Sequence, residues 1–347
     1  MIATAEQEVA ALQSRFLPDV KSCIRMAVPT SDSGFFKLLR YHLGWEDAKG
    51  NPADDDSGKA LRPVLCLMAC DLAGGDWHSA LPAAAALELV HNFSLIHDDI
   101  QDGDTTRRGR PTLWSVRGKP AAVSAGNAMR VVADRMLGTL AQGGLPASTA
   151  VTASVELTQR YLEMIEGQYL DMSFEQAERV TVDQYLDMIG RKTGALIESA
   201  MFLGALVASD EEARARAFGA CGRKLGLAFQ VRDDYLGVWG DPSETGKAVG
   251  ADIRRKKKAL PMVYMLERAQ PEELRWIAPA LAEEEVDEGN VARMLALLDR
   301  LDGRRYVQSV AEAQANEALT AVRTLGLPTE ARSKLEAMAA FFVTRQR

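Results

Sequence analysis

Residues 82–102 read PAAAALELVHNFSLIHDDIQD, and this stretch decides the fold. Its apolar side chains recur at helical spacing, and Pro82 suits the first turn of a helix. Asp102 follows Asp98 by four residues and Asp99 by three, which places their carboxylates on neighbouring positions of one helix face. Three like charges at the carboxyl end oppose the helix dipole and call for a positive partner. Because Mg²⁺ prefers such oxygen ligands together with substrate phosphates, the stretch predicts a magnesium site at the end of a buried helix.

A solvated acidic helix end is the alternative interpretation, and the residues that follow weaken it. Residues 104–112 read DTTRRGRPT, so Arg107 and Arg108 come directly after the carboxylates. Carboxylates and arginines this close can hold a diphosphate from two sides, by metal bridging and by planar guanidinium groups. A calcium-binding EF-hand is excluded, because the loop lacks the alternating ligands and the terminal glutamate.

The rest of the chain also predicts helices. Strong helix formers dominate the 347 residues, 47% are apolar, and no segment alternates convincingly as a strand would. Turn residues punctuate the chain, but no shift in composition divides it. We therefore expect an all-α protein, a single large helical bundle over residues 1–347.

A second acidic helix end follows much later, in residues 229–241, FQVRDDYLGVWGD. Asp233 and Asp234 close this stretch, and Gln230 precedes them by about one turn. The basic run RRKKK at 254–258 is most often a solvated surface elsewhere. In a chain with a formal net charge of −7, its position beside carboxylates favours a local phosphate-binding role.

Two further features indicate anion binding. Residues 58–63, GKALRP, place Lys59 and Arg62 on one face near the start of a helix, where backbone N–H groups also attract anions. His91 lies two turns before Asp98, and the residues leave open whether it contacts a ligand or is a buried structural histidine.

Composition excludes several classes of function. The negative net charge disfavours a general nucleic-acid or anionic-membrane binder, and no uncharged apolar run is long enough to predict a membrane span. The four cysteines form no CxxC pair and are expected as small core residues. No signal peptide is evident, so a cytoplasmic location is expected.

Six segments, in this order, resemble the trans-isoprenyl diphosphate synthases of the polyprenyl synthetase family. They are GKALRP at 58–63, ELVHNFSLIHDDIQD at 88–102, RRGRPT at 107–112, KTGALIE at 192–198, FQVRDDYLGVWGD at 229–241 and TGKAVGADIRRKKKALP at 245–261. The resemblance implies an isoprenoid-synthase-type helical bundle with a central active-site cavity, which assembles as a homodimer. It implies magnesium-dependent, head-to-tail condensation of isopentenyl diphosphate with an allylic diphosphate (dimethylallyl, geranyl or farnesyl). The implied products are a linear all-trans prenyl diphosphate and diphosphate.

The resemblance also implies roles for individual residues. Three magnesium ions per active site would be held by Asp98, Asp99, Asp102, Asp233 and Asp234. The allylic diphosphate would be bound by Arg107, Lys192, Lys247 and Lys257. Isopentenyl diphosphate would be bound by Lys59, Arg62, His91 and Arg108. Thr193 and Gln230 match polar residues near the developing allylic cation, and catalysis would rest on them with Lys192, the first three aspartates and Asp233.

The chain departs from the family pattern in the second aspartate motif. Gly237 stands where a third aspartate is usual, which bears on how tightly the third magnesium is held. With Asp233 and Asp234 expected as direct ligands, we expect the enzyme to be active and the substitution Gly237→Asp to be tolerated.

Two rival functions remain to be separated from this one. A class I terpene cyclase shares an aspartate-rich helix but usually has an Asn/Ser/Glu second motif and lacks a block like GKALRP. A non-catalytic regulatory subunit of a prenyl synthase would be marked by loss of the first aspartates, which are intact here.

The helix that carries the first aspartates also predicts product length. A chain growing from the aspartates extends alongside this helix, so Ser94 and Phe93, four and five residues before Asp98, can form its floor. In similar enzymes a single aromatic at the fifth position favours geranylgeranyl diphosphate, and aromatics at both positions favour farnesyl diphosphate. Geranylgeranyl diphosphate is the expected main product, with farnesyl diphosphate or a longer chain as alternatives. Phe93 as plain core packing is the competing interpretation.

Overall fold

The computed structural model describes residues 2–31, 33–54, 58, 60–246 and 248–346. Over these residues the chain is almost entirely helical, which confirms the all-α fold class. The helices up to residue 138 are α1 (Ile2–Ala27), α2 (Gly34–His42), α3 (Leu61–Leu72), α4 (Leu81–Gln101), α5 (Leu113–Arg117) and α6 (Lys119–Gly138). The middle helices are α7 (Ala147–Gln176), α8 (Val182–Ile189), α9 (Ala195–Ser209) and α10 (Glu212–Trp239). The last are α11 (Pro242–Thr245), α12 (Ala251–Arg254), α13 (Leu260–Arg268), α14 (Pro271–Ala282), α15 (Glu288–Arg300), α16 (Gly303–Val322) and α17 (Thr329–Thr344).

The helical pattern did not predict a small hairpin. Strands β1 (Thr106–Arg107) and β2 (Arg110–Pro111) pair antiparallel. Each strand has two residues, which is too short to produce a recognisable alternation of polar and apolar side chains.

The chain forms two compact units. The amino-proximal unit comprises Ala10–Leu162 and Leu196–Gly219, and the carboxyl-proximal unit comprises Met1–Val9, Glu163–Ala195 and Ala220–Arg347. The four boundaries between these ranges were not marked by a shift in composition, and a single domain over residues 1–347 stays a prediction.

The core of the amino-proximal unit is built on α3 and α4. Residues 64–70 of α3 and 83–87 of α4 are fully buried, and α4 packs against both α3 and α6. Small side chains permit close approach. A Cβ atom at Gly126 of α6 would lie 2.3 Å from Nε2 of His97, and one at Gly204 of α9 would lie 1.9 Å from the carbonyl oxygen of Cys66. Alanine and glycine therefore hold the aspartate-bearing helix in the centre of this unit.

Helix α4 is also long and apolar. The segment Trp77–Gln101 is long and apolar enough to cross a membrane by composition alone, but 67% of its most apolar window is buried inside the protein. Its apolar surface is covered by neighbouring helices, as in the core helix of a globular fold.

The carboxyl-proximal unit has its own core beyond residue 237. The buried members of this core are Val238, Ile253, Met262, Met265, Ile277, Ala280, Val286, Val291, Met294, Leu297 and Leu298. Helix α13 contacts α8, α15 and α16, and α16 packs on α17. This core supports the end of α10, which carries the second pair of aspartates.

The cysteines are core residues, as predicted. Cys23, Cys66, Cys70 and Cys221 are all buried and free. Burial raises the pKa of each thiol, to about 12 for Cys70 and Cys221, so they stay protonated and unreactive at neutral pH.

Candidate active site

The first aspartates lie at the end of α4 with unequal exposure. Asp98 and Asp99 belong to the last turn, and Asp102 is the residue after the helix. Asp99 is only 2% exposed and accepts a hydrogen bond from Nε of Arg107 at 2.5 Å. Burial raises the pKa of Asp99, and Arg107 opposes that effect. Asp98 and Asp102 are more exposed and stand four residues apart, so they are the better placed metal ligands of the three.

The β1–β2 hairpin positions the two arginines of the first basic segment. Arg108 and Gly109 form its two-residue turn, with φ angles of +52° and +75°, as a type I′ hairpin requires. A positive φ is uncommon for arginine and is often retained where it serves a site. Arg110 anchors the hairpin by donating to the carbonyl oxygens of Tyr41 and Glu46, so Arg107 and Arg108 are left to face the aspartates and the basic cluster.

A partly buried basic cluster lies next to this hairpin. Burial is the main cause that lowers the pKa of His91 well below its usual range, and Arg62 and Arg108 add to it. His91 is therefore neutral at pH 7. Burial and three arginines likewise lower the pKa of His42 to about 3, although its hydrogen bond with Asn92 opposes this. The positive charge of the arginines beside these two neutral histidines attracts an anion.

Arg62 has the features of an anion ligand. Its Nε atom is buried and donates no hydrogen bond within the described residues. The carboxylates of Glu88 and Asp98 act on it, and so does the like charge of Arg108. An orphan guanidinium N–H beside a second arginine is costly unless a ligand accepts from it.

Gly58 makes room for Arg108. A Cβ atom at this position would lie 2.4 Å from Cζ of Arg108, and its φ of +99° favours glycine. Gly58, the first residue of the block GKALRP, thus lies directly against Arg108 of the hairpin. Lys59, the other basic residue of that block, lies outside the described residues, as does Lys247.

Asp233 and Asp234, the second pair of aspartates, differ in exposure even more than the first aspartates do. Asp234 is fully buried, and its carboxylate accepts from the Tyr185 hydroxyl at 2.5 Å, the Leu260 N–H at 3.2 Å and the Gln230 amide at 3.2 Å. Burial raises the pKa of Asp234 to about 6 against the effect of these donors. Three donors from the protein thus engage the carboxylate of Asp234, and its role as a metal ligand stays a prediction.

Asp233 keeps an accessible carboxylate. Its side chain is 39% exposed and pairs with Arg345, which follows the last helix. Arg345 is 4% exposed and also donates to the Phe229 carbonyl oxygen at 3.2 Å, while its own carbonyl oxygen accepts from Arg232. No motif singled out in the sequence includes Arg345, so its contact with an aspartate motif is known only from the fold.

Lys192 and Thr193 lie in a π-helical turn, Gly190–Gly194, between α8 and α9. Such turns frequently occur at functional sites. Gly167 of α7 permits the approach, because a Cβ there would lie 2.3 Å from the Lys192 nitrogen. The ammonium of Lys192 pairs with Asp171 at 2.5 Å, and the Thr193 hydroxyl donates to Gln230 at 3.0 Å.

A cavity of about 380 Å³ in the carboxyl-proximal unit collects several of these residues. Its lining comprises Gln230, Asp233, Leu236, Gly237, Glu244, Thr245, Asp252 and Lys257. Burial on its own would lower the pKa of Lys257, but nearby carboxylates, Asp234 and Asp252 foremost, outweigh it and raise the pKa. Lys257 thus stays charged beside a carboxylate-lined space, as a diphosphate ligand must.

Sequence reasoning missed the supporting residues. Tyr185, Asp171 and Arg345 contact predicted site residues, yet none stands in a recognisable motif of its own. The sequence could have indicated Asp171, because the segment EGQYLD at 166–171 places polar residues around a glycine in the middle of a helix. Gln168 of the same segment is buried with both amide atoms unpartnered in the described part of the chain.

The chain-length positions lie on the predicted helix. Phe93 is buried and meets the His97 ring edge-on at a centroid distance of 5.1 Å. Ser94 is partly exposed and donates to the His91 carbonyl oxygen at 2.8 Å. The structure thus gives Phe93 packing contacts, and its role as a floor for the product stays a prediction.

The carboxylates suit magnesium better than a metal held by protein alone. Within the residues described, no group of three or more His, Cys, Asp or Glu side chains is arranged to hold a metal ion. Magnesium is commonly bound by one or two carboxylates, with phosphate oxygens and water completing its octahedron. The accessible carboxylates of Asp98, Asp102 and Asp233 fit that mode of binding.

Comparisons with known proteins agree with this chemistry. The profile of the polyprenyl synthetase family matches residues 53–298. A (2E,6E)-farnesyl diphosphate synthase of Mycobacterium tuberculosis is 36% identical over 326 residues, 93% of this chain and 89% of the relative. A geranylgeranyl diphosphate synthase of the same organism is 39% identical over 312 residues, 90% and 88% of the two chains. The crystal structure of a polyprenyl synthetase from Streptomyces coelicolor superposes with a TM-score of 0.89 at 38% identity, covering 97% of this chain and 100% of that one. The chain therefore belongs to the polyprenyl synthetase family of trans-prenyltransferases, with the isoprenoid synthase fold.

Proposed function

We propose that this trans-prenyl diphosphate synthase condenses an allylic diphosphate with isopentenyl diphosphate and releases geranylgeranyl diphosphate as its main product. The observation that carries the proposal is the end of α4, where Arg107 of the hairpin pairs with buried Asp99 and the more exposed Asp98 precedes Asp99 in the helix. That arrangement suits a diphosphate bound through metal and guanidinium together.

Magnesium would be held at Asp98, Asp99 and Asp102 and at the second aspartate motif, with three ions per site as the family suggests. We assign direct ligation first to Asp98, Asp102 and Asp233, because Asp99 and Asp234 are buried and already engaged. Asp99 and Asp234 then hold their neighbours in place. Bound magnesium would neutralise negative charge on the leaving diphosphate.

The basic residues divide between the two substrates. Arg107, Lys192, Lys247 and Lys257 bind the allylic diphosphate and stabilise it as it leaves. Lys59, Arg62, His91 and Arg108 bind isopentenyl diphosphate. The orphan N–H of Arg62 and the neutral ring of His91 support this assignment, because each can donate to a phosphate oxygen.

The polar pair Thr193 and Gln230 faces the developing cation. The Thr193 hydroxyl donates to the amide oxygen of Gln230, so the hydroxyl lone pairs and the second lone pair of that oxygen are available to positive charge. The double bond of isopentenyl diphosphate attacks the allylic carbon, and a proton is then lost to the released diphosphate, the base we infer from similar enzymes. This route needs no nucleophilic serine or catalytic histidine.

The enzyme would act as a homodimer. Val151, Val155 and Leu162 of α7 are 62%, 64% and 56% exposed and lie on one helix face. A second copy of the chain would cover this apolar stripe, as closed homo-oligomers of two-fold symmetry commonly do.

A primer assay tests the proposal and separates its rivals. The protein is incubated with Mg²⁺, labelled isopentenyl diphosphate and one allylic primer at a time, and products are sized by chromatography. We expect geranylgeranyl diphosphate from each primer, no turnover in EDTA, and losses of at least about 100-fold for Asp98→Ala and Asp233→Ala. Asp54→Asn is the control, since Asp54 pairs only with exposed Arg25 among described contacts.

Each contrary outcome points to a different function. Cyclic hydrocarbons released without isopentenyl diphosphate would identify a terpene cyclase. Activity that appears only with a second synthase chain would identify a regulatory subunit. Farnesyl diphosphate or longer chains as the main product would refute the chain-length assignment alone.

A further inference from the structure

The three lysines of the basic run at 254–258 contact three different parts of the carboxyl-proximal unit. The ammonium of Lys256 donates to the carbonyl oxygen of Glu283, the residue that follows α14. Lys257 lines the 380 Å³ cavity. The ammonium of Lys258 donates to backbone carbonyl oxygens at the end of α7. The run therefore does not act as one phosphate-binding patch, because two of its lysines are engaged by the protein itself.

Lys258 uses its whole ammonium group on the carboxyl end of α7. Its Nζ atom lies 2.5 Å from the carbonyl oxygen of Phe174, 3.2 Å from that of Glu175 and 2.5 Å from that of Ala177. The last carbonyl groups of a helix have no partner within the helix and carry the negative end of its dipole, so a cation is favoured there. Three acceptors match the three N–H donors of an ammonium, and Lys258 has no donor left for a phosphate.

These contacts hold the short connection that carries Lys257. Residues 255–259 link α12 to α13 without forming a helix. The Lys257 N–H donates to the Asp252 carbonyl oxygen at 2.9 Å, which fixes the backbone on one side. On the other side the next residue, Lys258, is fixed by its side chain to α7. Because neighbouring Cα atoms are only about 3.8 Å apart, a shift at Lys258 moves the base of the Lys257 side chain as well.

The same end of α7 also holds a second lysine of the site. Asp171 lies about one turn before Phe174 and pairs with Lys192 at 2.5 Å. The last turns of α7 therefore contact both described lysines that we assign to the allylic diphosphate. The contact with Lys192 is direct, and the contact with Lys257 is made through its neighbour Lys258.

We propose that Lys258 is a positioning residue for the reaction, whose hold on the end of α7 keeps Lys257 directed at the diphosphate of the allylic substrate. Lys258 itself touches no substrate. The inference rests on the proposed binding of the allylic diphosphate by Lys257. Lys256 provides a matched control, because it flanks Lys257 on the other side and carries the same charge. Its ammonium donates to one described carbonyl oxygen, whereas that of Lys258 donates to three.

Steady-state kinetics with Mg²⁺, geranyl diphosphate and isopentenyl diphosphate test the proposal. Lys258→Met keeps most of the side-chain stem and removes the ammonium. It should raise the KM for geranyl diphosphate by about tenfold and change the KM for isopentenyl diphosphate by less than about twofold. Lys256→Met should change both KM values by less than about twofold, although it removes the same charge beside Lys257. Lys258→Arg, which keeps a cation with several donors, should recover most of the loss.

A double-mutant cycle separates positioning from a general loss of structure. In the Lys257→Met protein, adding Lys258→Met should change the KM for geranyl diphosphate by less than about twofold, because no ammonium is left at 257 to position. A disturbance that reached the site by another route would add to the effect of Lys257→Met. Thermal melts of each variant show whether it is folded. If Lys258→Met does not melt cooperatively, Lys258→Gln, which keeps one donor group, takes its place in every comparison.

Three results would overturn the inference: an unchanged KM for geranyl diphosphate in Lys258→Met, an equal rise in Lys256→Met, or additive effects in the double variant. A rise in Lys257→Met without one in Lys258→Met refutes the role of Lys258 alone. An unchanged KM in Lys257→Met would instead refute the assignment of Lys257 to the allylic diphosphate, and the inference with it.

Discussion

The hydroxyl of Tyr185 should stabilise the ionised form of Asp234, so Tyr185→Phe should cost more stability at high pH than at low pH. The hydroxyl donates to Asp234 at 2.5 Å in a fully buried setting. Burial raises the pKa of Asp234 from 3.8 to about 6. Because this folded-state pKa lies above the unfolded one, the protonated form of Asp234 stabilises the folded protein. This stabilisation is complete below pH 4 and is lost as the pH rises through 6. At about 1.4 kcal/mol per pKa unit, that loss amounts to about 3 kcal/mol.

Removing the hydroxyl deprives the buried carboxylate of its shortest described hydrogen bond. At pH 8, where Asp234 is ionised, we expect a loss of about 1.5–3 kcal/mol in the free energy of unfolding. At pH 5 the carboxyl is mostly protonated, and the loss should fall to about 0.5–1.5 kcal/mol, as for a neutral hydrogen bond. The pKa of Asp234 should also rise further in the variant.

The assay is urea denaturation of both proteins at pH 5 and pH 8, with no metal added. Tyr264→Phe is a matched control in the same unit, because the Tyr264 hydroxyl donates at 3.0 Å to a neutral acceptor, the Leu301 carbonyl oxygen. Its cost should be about 0.5–1.5 kcal/mol at both pH values. Equal costs of Tyr185→Phe at the two pH values would show that Asp234 is not ionised beside Tyr185, and the reasoning would fail.

Three further predictions follow from other parts of the chain. Arg345→Ala should destabilise the metal-free protein by about 1–3 kcal/mol by removing the partner of Asp233, and thermal melts should show that Mg²⁺ with pyrophosphate reduces the difference; an equal difference with and without metal contradicts this. Ser94→Phe should shorten the main product and Phe93→Ala should lengthen it, as read by chromatography; retained activity with unchanged products would exclude this helix as the ruler. Leu162→Glu should convert a dimer to a monomer, measured by light scattering at micromolar concentration. A wild-type protein that is already monomeric would contradict the proposed dimer.

Much of the fold and of the site was accessible from local patterns. The helical spacing in residues 82–102 predicted α4, and the structure has that helix at Leu81–Gln101 with its aspartates at the carboxyl end. The order of six short segments indicated the family, which the comparisons confirm. These features depend on residues close together in the chain, where helix periodicity and turn chemistry act directly.

Local patterns could not predict which aspartate of each pair is buried and which is exposed. Adjacent residues of one helix point about 100° apart, so Asp233 stays accessible while Asp234 turns into the core, and the letters DD do not say which is which. The outcome depends on what the rest of the fold places against each side chain: Tyr185 and Leu260 against one, Arg345 against the other.

By itself, then, the sequence determined the helical class, the family and the short-range clusters of acidic and basic residues. Each of these features depends on residues that lie close together in the chain. Only the tertiary structure decided that Asp252 fills the space beside Gly237 and that Arg345 meets Asp233, 112 positions away in the chain. Contacts at such separation carry no periodic signal. They arise when buried apolar faces, such as Ile253 against Val238, dock their helices and bring polar side chains together as a consequence.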